Sequence, residues 1–413
     1  MTQPSAQAHE KPFEPSQVAV ALEHCSLLET KLKDSLKIEH SRLKESDILG
    51  LALLEIKNPK QAAASARQAV ESNPSPTLGP PAPPTDDLDY LLWALRVLFK
   101  SEYAGWAPTL GKNRFVRHIH GVWEVIHSQD EPEMLIVPPR IPARAGGPGR
   151  GVKVGVLDTA FYPSPWLAGS WTARYSDMVR HDVVPTAAQG HATFVTGLIL
   201  SQAPGASVEV RSLLDEKGEA DSWKAAEAIA RFGQSGIDVL NLSFGSYTED
   251  NEPPLILATA IDRLDPKVVV VAAAGNYQPA DEEDNTPRNR PSWPAALDDV
   301  VAVGAATQHG DLAPFSPNAP WVDVHASGMK LTSTYLERAS IKNGRVKRYG
   351  GWARWQGTSF AAALFTGAVA AATAPGQTSG SEAARDILHG LRSDPSRQSV
   401  RSTDAKFLPL RTW

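Results

Sequence analysis

Four polar residues in this chain each lie at the edge of an apolar run, and their types point to a specific chemistry. Ser359 lies in GTSFAAA, His191 in GHATFVTG, Asp158 in VGVLDTAF and Asn276 in AAAGNY. A serine hydroxyl becomes a nucleophile beside a general base, a carboxylate can orient that base, and a side-chain amide can donate to an oxyanion. Together the four predict acyl transfer through a covalent intermediate.

The segment after Ser359 must position the nucleophile. Residues 357–374 are apolar on every side and small, which predicts a buried helix. Ser359 falls in its first turn, where backbone N–H groups and the positive end of the helix dipole favour an anion. Taken singly, the four residues also fit an N-cap, a helix cap or a turn. Their joint occurrence in this order favours the catalytic interpretation.

From residue 152 onwards, short Val- and Ile-rich runs alternate with helical stretches. Unbroken apolar strands separated by helices predict an α/β domain with a mostly parallel sheet covered on both faces. Working residues of such sheets cluster at the carboxyl ends of the strands. Asp158, Ser243 and Asn276 each follow or end such a run.

The front of the chain has a different texture. Apolar residues at helical spacing predict an amphipathic helical pair, or one interrupted helix, over 17–57, and a further helix begins in DDLDYLLWALRVLFKSEY. RFVRHIHGVWEVIHS predicts a strand or hairpin. Proline-rich linkers are predicted at 74–87 and 137–151. The expected organisation is a mainly helical N-terminal region (1–136), a linker (137–151) and an α/β domain (152–413).

Composition excludes several classes of partner. The net charge is −5 with scattered basic residues, so we expect no nucleic acid, and no apolar run is long enough to predict a membrane span. The start of the sequence lacks the features of a secretion signal, and one cysteine, Cys25, allows no intramolecular disulfide; a cytoplasmic protein is expected.

We expect no metal or other cofactor. His118 and His120 alternate onto one strand face without a third ligand in view, so a solvated face is the preferred interpretation. The acidic run at 281–285 has calcium binding as its alternative and a solvated surface loop as the preferred interpretation.

The order and separations of Asp158, His191, Asn276 and Ser359 resemble those of the subtilisin-like serine peptidases. NLSFGS at 241–246 is similar to that family's substrate-binding strand. PSWPAALDDVVAVGA and FSPNAPWVDVHASG are similar to the two segments that the family places between its oxyanion asparagine and its nucleophile. The resemblance covers residues 151 to about 375 and implies a subtilisin-like three-layer fold.

The resemblance also implies roles. Ser359 would attack the scissile carbonyl, His191 would carry the proton, Asp158 would orient the imidazole, and Asn276 would donate to the oxyanion. An extended peptide or protein substrate would pair with Ser243, Phe244 and Gly245, with Gly275 beside it, and 218–221 would form the opposite wall of the cleft. The expected function is therefore a serine endopeptidase.

The sequence departs from the family pattern without losing a proton-transfer group. Ala160, Ala192, Phe194, Ala363 and Ser327 stand where the family usually has Gly, Gly, His, Pro and Pro. The added methyl groups bear on cleft shape and rate rather than on the reaction type. The alternative function is a catalytically silent, subtilase-like module that binds peptides or acts as a scaffold.

The N-terminal region shows no clear strand-helix-strand pattern of the kind found in the propeptides of secreted relatives. We therefore expect a helical regulatory or partner-binding region. Self-cleavage in the flexible stretch near 140–150 is a second hypothesis. Primary side-chain preference depends on wall residues that the sequence does not identify.

Overall fold

The computed structural model describes residues 13–72, 83–118, 132–135, 147–216, 218–277, 288–341, 344–393, 407–408 and 410. Most of both predicted linkers, His120 and the acidic run at 281–285 lie outside the described residues. The chain divides into two compact units. The first holds the residues up to Phe115 together with Asp221–Glu227 and Pro254–Thr259, and the second holds the rest.

The first unit is an antiparallel sheet with helices. Its elements are β1 (Phe13–Ala21), α1 (Leu22–Thr30) with a π-helical turn (Lys31–Ser35), β2 (His40–Ser46), β3 (Leu51–Ile56), α2 (Pro59–Ser72), α3 (Asp87–Glu102) and most of β4 (Leu110–His118). The last three residues of β4 belong to the second unit. The strands follow the order β4-β1-β3-β2, and each neighbouring pair is antiparallel. Its apolar core joins one face of the sheet to the three helices.

The predicted helical pair over 17–57 is wrong, since this stretch forms β1, α1, β2 and β3. In β1, the consecutive residues Val18, Ala19 and Val20 are all buried, and Leu51–Leu54 of β3 are likewise buried. A strand covered on both faces has no alternation of apolar and polar residues, so its pattern is easily mistaken for a helix. The N-terminal region is thus an α+β unit rather than a mainly helical one.

The helix predicted after the first linker is confirmed as α3. Asp86 caps it, because its carboxylate accepts hydrogen bonds from the N–H groups of Leu88 (2.9 Å) and Asp89 (3.4 Å). Cys25 is buried in the same unit, and burial raises the pKa of its thiol.

The second unit contains the remaining elements. Its strands are β5 (Glu133–Met134), β6 (Lys153–Asp158), β7 (Trp171–Thr172), β8 (Ser207–Ser212), β9 (Glu219–Asp221), β10 (Val239–Leu242), β11 (Phe244–Gly245), β12 (Val269–Ala273), β13 (Val300–Ala306), β14 (Val324–Ser327), β15 (Leu331–Thr334), β16 (Arg338–Ser340), β17 (Val346–Arg348), β18 (Trp352–Trp355) and β19 (Phe407–Leu408). Its α-helices are α4 (His191–Gln202), α5 (Ser222–Gly233), α6 (Leu255–Asp262), α7 (Thr358–Ala372) and α8 (Gly380–Ser393). The first turns of α5 and α6 belong to the first unit.

A parallel sheet organises this unit, as predicted. The strand order is β19-β14-β13-β12-β10-β6-β8-β7, and every neighbouring pair is parallel. Helix α7 packs against β10, β12, β13 and β14 on one side and against α4 on another. Its residues 358–367 are all buried, which confirms the buried helix. Among the described residues, no helix combines the length and apolarity required to cross a membrane.

Candidate active site

The aspartate and the histidine meet directly. Asp158 is the last residue of β6 and His191 is the first residue of α4. His191 Nδ1 is 2.9 Å from both carboxylate oxygens of Asp158, and both side chains are 0% exposed. The N–H of Thr159 donates to Asp158 Oδ1 at 2.6 Å. A carboxylate in this position holds the imidazole with Nδ1–H towards it, which leaves Nε2 as the proton-accepting atom.

Local structure holds the start of α4 in place. A 3₁₀ turn, Ala187–Gly190, leads into His191 and is closed by a capping box between Thr186 and Gln189. The hydroxyls of Ser333 and Thr334 on β15 donate to the carbonyls of Phe194 (2.7 Å) and Thr193 (3.0 Å). The imidazole is therefore carried by backbone that β15 fixes from outside the helix.

Ser359 lies in the first turn of α7, buried at 0% exposure. Asn276, after β12, is held beside it through Thr358, whose N–H and Oγ1 both donate to Asn276 Oδ1 at 2.9 Å. Two donors at one amide atom identify that atom as the oxygen, so Nδ2 is the donor end of the side chain. The N–H of Gly275 donates in turn to Thr358 Oγ1 at 3.2 Å.

An aromatic cluster surrounds the imidazole. The rings of Phe360 and Trp355 lie 5.1 and 5.7 Å from His191 between centroids, and the Trp355 ring meets it edge-on at 81°. Phe194, at the position where the family usually has histidine, lies 4.5 Å from the ring of Phe360. Phe360 directly follows Ser359 in the sequence. Its contact with the His191 ring therefore links the first turn of α7 to the histidine. Residue spacing alone did not identify Trp355, Phe360 or Thr358.

The segment predicted to bind substrate contains a short strand, and its role stays a prediction. Ser243 is buried and precedes the short strand β11, Phe244–Gly245. Asn241 connects this strand to α7, since its Oδ1 accepts from Thr366 Oγ1 at 3.0 Å and its Nδ2 donates to Ser243 Oγ at 3.1 Å. Gly275 has a positive φ of 104°, which favours glycine there.

Two segments of the chain that precede β6 pair with strands beside these residues. Arg117 and His118, at the end of β4, pair antiparallel with Gly245 and Phe244. Glu133 and Met134 pair with residues 354 and 353 of β18, shortly before Ser359. The edge of β11 that is predicted to pair with an extended peptide is thus occupied by the end of β4.

The structure thus brings Asp158 and His191 into direct contact and places Ser359 in the first turn of a buried helix, where Thr358 is bound to Asn276. The model of the Subtilase family matches residues 149–390. The chain belongs to the subtilase family, and the match covers α4, α7 and every strand of the parallel sheet except β19.

Individual relatives agree with this assignment. The chain is 31% identical to the minor extracellular protease Epr of Bacillus subtilis over 208 residues, which are 47% of this chain and 30% of Epr. It is 30% identical to subtilisin DY of Bacillus licheniformis, covering 46% of this chain and 69% of that protein. The chain spans half or less of the full length of the first curated relatives that it matches.

The crystal structure of fervidolysin from Fervidobacterium pennivorans, a keratinolytic enzyme related to subtilisin, superposes with a TM-score of 0.54 at 17% identity. The superposition covers 88% of this chain and 55% of fervidolysin. It shows the fold, which is the subtilisin-like α/β fold predicted from the sequence.

Proposed function

We propose that this chain is a serine endopeptidase that uses Asp158, His191 and Ser359 with Asn276. The observation that carries the proposal is the buried contact between His191 Nδ1 and the Asp158 carboxylate at 2.9 Å. Membership of the subtilase family and the position of Ser359 at the start of α7 support it.

In the proposed reaction, Ser359 Oγ attacks the scissile carbonyl carbon while its proton passes to His191 Nε2. Asp158 stabilises the imidazolium that results. The carbonyl oxygen becomes an oxyanion, to which Asn276 Nδ2 and the N–H of Ser359 donate. Loss of the asparagine amide is expected to reduce the rate on the order of 100- to 1,000-fold.

The intermediate then collapses. The C–N bond breaks, the leaving amine takes the proton from His191, and an ester to Ser359 Oγ remains. Water attacks this ester, again giving a proton to His191, and the second collapse releases the new carboxyl group and restores the serine hydroxyl. Each step uses the same acid, base and oxyanion donors.

We further propose that the N-terminal region keeps the enzyme inhibited. The end of β4 occupies the edge of β11, and β5 is paired with β18. A peptide that pairs with β11 must displace Arg117 and His118 first.

A fluorophosphonate probe tests the catalytic proposal. We expect stoichiometric labelling of wild type at Ser359, no labelling of Ser359→Ala, and labelling slowed by orders of magnitude in Asp158→Asn, because the asparagine favours the wrong imidazole tautomer. Absence of labelling under all conditions would favour the alternative, a catalytically silent peptide-binding module.

The inhibition is tested in the full chain by Arg117→Pro, which removes a strand N–H group. We expect faster labelling of Ser359 than in wild type, whereas Arg117→Ala, which keeps the backbone donor, should be accelerated less. Equal labelling rates in all three proteins would contradict inhibition by β4. Intact mass over time would show in the same samples whether self-cleavage occurs near 140–150.

Three earlier expectations remain predictions. A cytoplasmic location is testable by cell fractionation with an antibody. A protein partner for the N-terminal unit is testable by crosslinking in cells, followed by recovery of the full chain. Independence from calcium predicts that chelation leaves the unfolding temperature unchanged.

A further inference from the structure

Strand β4 already pairs with the edge of β11, and the side chain that it places there is that of Arg117. Arg117 lies opposite Gly245 in the antiparallel ladder, and its Nε is 2.8 Å from Glu219 Oε1. Strand β9, which begins at Glu219, also pairs with β4. The end of β4 therefore presents a guanidinium to a carboxylate while it pairs with β11.

The backbone at Glu219 is held in place independently of Arg117. Its N–H donates to Asp215 Oδ1 at 3.0 Å, and its carbonyl accepts from the N–H of Asp215 at 3.0 Å. The N–H of Gly218 donates to the carbonyl of Asp215, also at 3.0 Å. This closed turn keeps the backbone that carries the carboxylate in position when another strand replaces β4.

The surrounding charge is suited to a cation. Residues 215–221 include four acidic side chains and one lysine. Asp221 is paired with Lys224 at 3.0 Å, while Glu219 faces the strand end. A basic side chain arriving at this edge meets a negative potential, and an acidic one is repelled.

We propose that Glu219 is a specificity residue that selects arginine or lysine in the peptide substrate, at the position that pairs with Gly245. The inference rests on the proposed function, since the substrate must replace the end of β4. The side chains of Arg117 and Glu219 are 51% and 31% exposed, so solvent screens the ion pair. We therefore expect a preference for arginine of about 2- to 5-fold in kcat/KM.

The test compares the full-chain wild type with Glu219→Gln on otherwise identical peptides. Arginine, citrulline or glutamate is placed in turn at each of the five residues before the scissile bond. Citrulline matches the shape of arginine without its charge. In wild type we expect one position at which arginine exceeds citrulline by the stated factor and glutamate is cleaved most slowly.

Glu219→Gln should abolish the ratio between the arginine and citrulline peptides, and Glu219→Lys should invert the preference in favour of glutamate. Glu209→Gln is the matched control, because it removes one negative charge from β8 in the same unit, and it should keep the preference. Absence of a position that prefers arginine, or a preference that survives in Glu219→Gln, would overturn the proposal.

Probe labelling of Ser359 in the same preparations separates the two ideas. Labelling together with equal cleavage of all peptides would overturn the role of Glu219 and leave the peptidase intact. Absence of labelling and of cleavage in both wild type and Arg117→Ala, which lacks the internal guanidinium, would overturn the proposed function and with it this inference.

Discussion

The helices that carry His191 and Ser359 touch at a glycine, and replacing it gives a quantitative test of the site's geometry. Gly367 lies on α7, and a Cβ built there would be 2.6 Å from the carbonyl oxygen of Ile199 on α4. Ordinary carbon-to-oxygen contacts of this kind are about 3.3–3.6 Å. Gly367→Ala must therefore move the two helices apart by about 0.7–1 Å.

The displacement has two measurable costs. Overpacking of this size destabilises by about 1–3 kcal/mol, and the higher helix propensity of alanine offsets about 1 kcal/mol of that. We expect a net loss of up to about 2 kcal/mol in the free energy of unfolding. A misplacement of about 1 Å between reacting groups costs on the order of 100-fold in rate. Because His191 lies two turns from Ile199, we expect a 10- to 100-fold slower labelling of Ser359.

Gly390→Ala is the matched control. Gly390 lies within α8, and a Cβ there would meet nothing within 4 Å. Alanine at this position should be neutral or stabilising by up to about 1 kcal/mol, with unchanged labelling. Urea unfolding and probe labelling check both variants. If Gly367→Ala unfolds and labels like wild type, or if Gly390→Ala loses as much, the close approach of α4 and α7 does not determine the site's geometry.

Three further outcomes are expected. Thr358→Val removes a donor to Asn276 Oδ1 and the acceptor of the buried Gly275 N–H, so it should slow labelling of Ser359 about 10-fold and lower the free energy of unfolding in urea by about 2–3 kcal/mol. Thr358→Ser keeps the hydroxyl and should retain the wild-type labelling rate and stability. A valine variant with wild-type values would contradict this expectation. His325 is buried with Nε2 3.1 Å from the carbonyl of Pro317, and burial lowers its pKa, so the unfolded chain binds a proton more readily than the folded one below about pH 6.5. The contribution of His325 to stability should therefore be fully present above that pH and be lost as the pH falls towards the lowered pKa. His325→Gln should show a shallower decline in melting temperature than wild type between pH 7 and pH 5. Parallel declines in the two proteins would show that another group is responsible. Asp86→Ala should destabilise the N-terminal unit by about 1 kcal/mol, measured by hydrogen exchange of α3, and unchanged protection would show that the cap contributes nothing.

Local signals were sufficient for the second unit. The central parallel strands were predictable because most of them are short, largely apolar runs. Strand β6 ends at Asp158, and Asn276 follows the end of β12 at Ala273 by three positions. Helix α7 was predictable because it is apolar on every side. The same locality misled in the first unit, where strands β1 and β3, buried on both faces, carry no alternation to distinguish them from helices.

The sequence by itself determined the residue types available for chemistry, their order, and the elements at whose ends they stand, because these properties depend on neighbouring residues. Only the tertiary structure decided what those side chains meet: the carboxylate at His191 Nδ1, the two donors of Thr358 at Asn276, the rings around the imidazole, and Arg117 between Gly245 and Glu219. These contacts join residues that lie from 33 to 169 positions apart in the sequence. Their geometry depends on how strands and helices pack, which no local pattern encodes.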